Sequence, residues 1–74
     1  MFYNLNKNLK YIRNKNLLTQ AKMADLLNLK LQSYKNLESG QVNTSLEVLD
    51  KLHNIFQVSL DDLVYTDLSN KNKD

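Results

Sequence analysis

Leu5, Leu9 and Ile12 recur at spacings of four and three, which predicts a first amphipathic helix that begins near Asn4 and fades through Asn14, Lys15 and Asn16. Asn16 is placed to close it in the left-handed conformation. Thr19 then suits the N-cap of a second helix. Leu18 before it and Met23 four residues after it have the spacing of a hydrophobic staple, and Met23, Ala24 and Leu27 make its buried face. Asn28 tolerates positive φ, and Leu29 resumes the apolar pattern ahead of a third helix over Leu31 to Glu38. In that helix only Tyr34 and Leu37 are spaced for burial. Leu31, Gln32, Ser33, Lys35 and Asn36 are left on an outer face that is mostly polar.

Residues 39–43 read as a loop with Gly40 as a C-terminal cap. Thr44 is expected to open a fourth helix, with Glu47 as its capping-box partner and Leu46, Leu49, Leu52 and Phe56 as its apolar stripe. Ser59 with Asp62, and Val58 with Leu63, mark the start of a short fifth helix ending near Tyr65. The expectation is one all-α domain over residues 1–68 followed by a frayed polar tail over residues 69–74.

Composition agrees with helices. The 74 residues include one Gly and no Pro, and 42% are hydrophobic. One core is all that such a length encloses. With no Cys and a single His, His53, neither a disulfide nor a Cys/His zinc site is available, so helix packing or dimerisation must supply stability. His53 itself is read as a surface or packing residue of the fourth helix. No apolar run approaches the roughly 20 residues that cross a bilayer, and the start Met-Phe-Tyr-Asn-Leu-Asn lacks the form of a signal peptide. A cytoplasmic protein without a membrane role is therefore expected. There is no glycine-rich phosphate loop, no Cys nucleophile and no Ser/His/acid set, so neither catalysis nor a cofactor is expected.

The net charge is only +2, but it is unevenly divided. Residues 1–40 hold seven Lys and Arg against two acidic residues, a balance of +5, while residues 41–74 hold three against six, a balance of −3. The first half suits a polyanion; ordinary solvated helix faces are the other reading of the same asymmetry.

Two helices that cross closely around a tight turn need a small residue at the crossing, a turn residue that tolerates positive φ, and apolar residues seating the second helix. Ala24, Asn28, and Tyr34 with Leu37 meet these demands in order, with Gln20 opening the unit. The segments Leu9-Lys10-Tyr11-Ile12-Arg13, Leu18-Thr19-Gln20, Met23-Ala24, Leu27, Glu38-Ser39-Gly40, Asn43-Thr44-Ser45-Leu46-Glu47 and Val58-Ser59-Leu60-Asp61-Asp62-Leu63 follow at matching spacings. From about Leu5 to Leu63 the chain resembles the lambda-repressor and Cro-like helix-turn-helix family, also called the xenobiotic-response-element type. It departs from that pattern at Leu17 and Asn28, where glycines are usual, at Lys30, in place of a Ser or Thr cap, and at Thr44, in place of a frequent proline.

The resemblance implies a compact five-helix domain whose helices 2 and 3 form the helix-turn-helix of a transcriptional regulator, with double-stranded operator DNA as the partner. By position on the third helix, Leu31, Gln32, Ser33 and Asn36 are the expected base readers, with a bias to A·T because Gln and Asn pair with adenine and Leu packs on a thymine methyl. Gln20 is the leading phosphate contact, by its place in the first turn of helix 2 and by its use in the family. Lys22, Lys30, Lys35, Ser39, Gln41 and Asn43 are supporting ones. The family also implies an ion pair between Arg13 and Glu38; a phosphate contact by Arg13 is the other reading.

Tyr34 is expected to bury its ring and keep its hydroxyl at the surface. Val64, Tyr65 and Leu68, with Phe2 and Tyr3, are candidates for a homodimer interface, and each has the alternative of covering its own core. A protein-interaction role on the same fold, with a toxin or antirepressor as partner, is the rival function. The resemblance places the chain in a bacterium, phage or mobile element.

Overall fold

The computed structural model describes residues 4–71. Over those residues the chain forms α1 (Leu5–Lys15), α2 (Gln20–Leu26), α3 (Leu31–Glu38), α4 (Leu46–Phe56), α5 (Leu60–Tyr65) and α6 (Leu68–Lys71). The described residues contain no strand, as expected for an all-α chain, but the helices number six rather than five. Residues 69–71, expected in a polar tail, continue the turn that Leu68 starts. Leu68 is buried, which ties that turn to the core. No helix among the described residues is long and apolar enough to cross a membrane.

Turn chemistry sets the paths between the first helices. Leu17, Asn28 and Gly40 adopt positive φ of 57°, 58° and 84°, and each ends a helix with the same pair of backbone bonds. After α1, the Leu17 N–H donates to the Asn14 carbonyl at 3.1 Å and the Leu18 N–H to the Arg13 carbonyl at 3.0 Å. The corresponding longer bonds run from Leu29 to Ala24 at 2.8 Å after α2, and from Gln41 to Asn36 at 3.0 Å after α3. The left-handed residue after α1 is thus Leu17, not Asn16, whose φ is −96°. The step falls one residue later because Leu18, the next residue, must return to pack against the core.

Side-chain caps open α2, α4 and α5, where Thr19, Ser45 and Ser59 accept from the N–H groups of Lys22, Val48 and Asp62 at 3.0, 3.3 and 3.1 Å. The cap of α4 is therefore Ser45 rather than Thr44. With α4 in this register Val48, Leu49 and Leu52 enter the core, Phe56 is half-buried, and Leu46 is left 70% exposed instead of joining the stripe. His53 lies on the surface of α4, its Nδ1 donating to the Val58 carbonyl at 2.8 Å.

α1 lies at the centre of the packing, against α3, α5 and α6, while α2 packs chiefly on α3 and α4 on α5. Leu5, Leu9 and Ile12 face the core as their spacing predicts. Between them Asn8 is fully buried, a polar residue inside an apolar stripe. Its Nδ2 donates to the carbonyls of Leu63 and Thr66 at 2.8 and 2.7 Å, and its Oδ1 accepts from the Leu68 N–H at 3.0 Å. One turn earlier, the Asn4 N–H donates to Val64 O at 3.0 Å and its Nδ2 to Tyr65 O at 2.7 Å. The last carbonyls of a helix have no partner within it. Here Asn4, just before α1, and Asn8 within it supply donors to those of α5 and join α5 to α6.

Two stability changes are expected, measured by denaturant unfolding. Asn8→Ala removes donors and an acceptor from buried backbone groups and should lower stability by about 3 kcal/mol; a loss within about 0.5 kcal/mol, the usual range for surface substitutions, would count against the capping role. Leu17→Gly removes a side chain that is 92% exposed and relieves its left-handed backbone, so it should raise stability by about 0.5–1 kcal/mol.

Candidate nucleic-acid interface

α3 is clamped by one face and open on the other. Tyr34 and Leu37 lie in the core, whereas Leu31, Gln32, Ser33 and Lys35 are exposed and Asn36 is half-buried, the division that a 3.6-residue period predicts. Lys30 precedes the helix in an extended conformation and provides no side-chain cap, and α3 nonetheless begins at Leu31 as the spacing implied. Gln32 Nε2 donates to Asn36 Oδ1 at 3.0 Å, one turn along the exposed face.

The carboxylate at the end of α3 sets how the helix is held. Glu38 is 9% exposed and accepts four hydrogen bonds from three parts of the chain. Arg13 of α1 gives two, Nε to Oε2 at 2.8 Å and Nη2 to Oε1 at 3.0 Å. The Tyr34 hydroxyl gives a third at 2.5 Å, and Gln20 Nε2 a fourth at 3.3 Å. Arg13 Nη1 also donates to the Leu18 carbonyl at 3.0 Å, which ties the turn before α2 into the same group. The expected Arg13–Glu38 ion pair is present. The Tyr34 hydroxyl, expected at the surface, is instead buried on Glu38, because Tyr34 and Glu38 stand four residues apart on one helical face.

Burial alone would push the Glu38 carboxyl up, but the hydrogen bonds from Arg13, Tyr34 and Gln20 outweigh it and hold the group below its usual value. Burial, reinforced by the bond to Glu38, pushes the Tyr34 phenol far above its usual value. The bond to Glu38 raises the Arg13 guanidinium further, so the pair is ionised and Tyr34 remains a donor at neutral pH.

The sequence-selected residues divide by location. Lys22 on α2, Lys30 before α3, Lys35 on α3, and Ser39, Gln41 and Asn43 after it are all exposed. Ser39 Oγ donates to the Asn36 carbonyl at 3.1 Å. Ser33 and Asn36 of α3 and Asn43 of the following loop line one open depression of about 270 Å³, floored by Leu29, Leu37 and Val48. Gln20 is half-buried and is tied to α3 by its bond to Glu38. Of the expected interface residues, Val64 and Leu68 are buried in the chain's own core, whereas Tyr65 is 62% exposed. Phe2 and Tyr3 lie outside the described residues. Among the described residues no group of three His, Cys, Asp or Glu could hold a metal ion.

Sequence reasoning missed two arrangements of this surface, the Gln20–Glu38 bond and the Gln32–Asn36 bond. The second had a visible signal in its i, i+4 spacing. The first had none, since its residues are brought together only by the packing of α2 on α3.

Residues 9–63 match the helix-turn-helix family model of the Cro/C1 type. Over 45 residues, 61% of this chain, the sequence is 42% identical to the cryptic phage CTXphi transcriptional repressor RstR of Vibrio cholerae serotype O1. The match covers 40% of that repressor's length. No solved structure is significantly similar to the chain.

The network makes stability depend on pH in a defined way. Glu38 has a folded value below its unfolded one, so its contribution is fully present above about pH 4.3 and is lost as pH falls through the lower folded value. Tyr34 has a folded value above its unfolded one, so its contribution is fully present below about pH 10 and declines as pH rises beyond that. Unfolding free energy should be flat between about pH 5 and 9 and fall on both sides. Glu38→Gln should lower the plateau by roughly 2 kcal/mol and reduce the acid-side slope; an unchanged acid slope in urea titrations would show that Glu38 is not a principal group.

Proposed function

Because the chain belongs to the Cro/C1-type helix-turn-helix family, we propose that it is a transcriptional repressor that reads double-stranded operator DNA with α3 in the major groove. In this reading α2 and α3 form the helix-turn-helix. Ala24 is the small residue at their crossing and Asn28 the left-handed turn residue between them. The observation that carries the reading is α3 itself, fixed by Tyr34, Leu37 and Glu38 on one side and presenting exposed Leu31, Gln32 and Ser33 on the other. A rigid polar helix with its first turn outward is what a base-reading element requires.

Gln32 supplies the amide edge that pairs with adenine, Leu31 an apolar contact for a thymine methyl, and Ser33 a hydroxyl that fits several bases, so the half-site leans to A·T. Gln20 gives one amide hydrogen to Glu38 and retains a second for a phosphate oxygen. Lys22, Lys30, Lys35, Ser39, Gln41 and Asn43 supply the remaining backbone contacts, which set affinity and register rather than sequence.

The chain acts as a two-fold dimer on half-sites about one helical turn apart, with Tyr65, the exposed member of the expected set among the described residues, at the interface. Its relative's name as a phage repressor supports a phage or bacterial regulator working in the cytoplasm.

Selection from a random duplex library should return A·T-biased half-sites; G-rich half-sites that depend on Lys35 would overturn the assignment of base readers. Gln20→Ala should weaken binding to all duplexes by a similar factor, whereas Gln32→Ala should cost about 1–3 kcal/mol at one base pair and leave non-specific binding unchanged. Sedimentation at tens of micromolar, with and without the selected duplex, tests the dimer.

A further inference from the structure

The bond between Gln32 and Asn36 changes what each residue has to offer a base. A primary amide has two N–H donors and one oxygen acceptor. By giving one N–H to Asn36 Oδ1 at 3.0 Å, Gln32 keeps its carbonyl oxygen and its other N–H, and these two groups together complement the N6–H and N7 of adenine. A terminal amide turns readily about its last torsion. Without a fixed partner it can present its two donors instead, the arrangement that suits the O6 and N7 acceptors of guanine.

Asn36 is less well placed to read a base by itself. It is the sixth residue of an eight-residue helix whose first turn is the part that meets base edges. Its side chain is the shorter of the two, it is half-buried in the wall of the depression with Ser33 and Asn43, and its oxygen already accepts from Gln32.

We propose that Gln32 and Asn36 form one reading unit, in which Asn36 is a positioning residue whose carbonyl locks the Gln32 amide in the orientation that selects adenine. Asn36 reads no base pair of its own. This rests on the DNA-reading role of α3.

The test uses the full chain and the consensus duplex that library selection returns for it, together with versions substituted at each base pair in turn. Gln32→Ala should relax preference at one pair by about fivefold or more, taking about fivefold as the low end for a bidentate base contact. Asn36→Ala should relax the same pair, and the double variant should be no less selective there than Gln32→Ala alone. Asn36→Asp retains an acceptor for Gln32 and loses both donors. It should keep the wild-type preference at that pair while its added charge weakens binding to every duplex.

Relaxation of a different pair by Asn36→Ala, or additive losses in the double variant, overturns the unit. So does an Asn36→Asp variant as unselective as Asn36→Ala. Melting temperatures of the three single variants close to wild type, as expected for side chains outside the core, keep these outcomes separate from misfolding. A wild-type chain with no duplex selectivity overturns the DNA-reading role and this inference together, whereas selectivity with independent losses overturns the inference alone.

Discussion

A carboxylate taken out of water must be given hydrogen bonds, and in so small a protein few elements are available to give them. Glu38 receives four, from Arg13 on α1, Gln20 at the start of α2 and Tyr34 on its own helix. Its desolvation therefore becomes a constraint on three helices at once: α3 cannot rotate without withdrawing Glu38 from Arg13, and α2 cannot shift without stretching the bond to Gln20. Replacing such a group by apolar side chains can be thermodynamically neutral. What the ionic version adds is direction, because a guanidinium and a carboxylate meet in a narrow range of geometries. The outer face of α3 inherits that precision.

A comparable constraint operates at the opposite end of α1. Asn4 and Asn8 cap the carbonyls of α5 and the start of α6, so α1 is tied at its first turns to the C-terminal helices and at Arg13 to α3. An amide buried in an apolar stripe is costly unless each polar atom is satisfied, and Asn8 has partners for both its nitrogen and its oxygen. The helices are short, with α2 at seven residues and α5 at six, lengths at which a helix in isolation is not stable. Their stability comes from these caps and from the core they share.

The left-handed turns complete the framework and expose its compromises. Gly40 adopts positive φ without a steric penalty, and the ideal position of a Cβ there would stand 3.2 Å from Asn6 Nδ2, so the loop after α3 passes close to α1. Asn28 tolerates the same conformation well. Leu17 does not, and it is also almost wholly exposed, so this turn carries a conformational cost that the Leu18 contact with the core and the Arg13 bond to the Leu18 carbonyl offset.

The order and type of the first five helices, their apolar faces on α1, α2 and α3, and the polar character of the outer face of α3 were all determined by the sequence alone. They depend on spacings of three and four residues and on turn residues such as Asn28 and Gly40, which act over one helical turn. Registers that hinge on a single residue were decided by packing: Leu17 rather than Asn16 after α1, and Ser45 rather than Thr44 before α4, since a one-residue shift turns a helix face by about 100° and only the core can choose between them. Tertiary structure likewise decided the sixth helix, the burial of Val64 and Leu68, the place of the Tyr34 hydroxyl and the meeting of Gln20 with Glu38. Each depends on groups distant in sequence that are neighbours only when α1, α3 and the C-terminal helices close on one another.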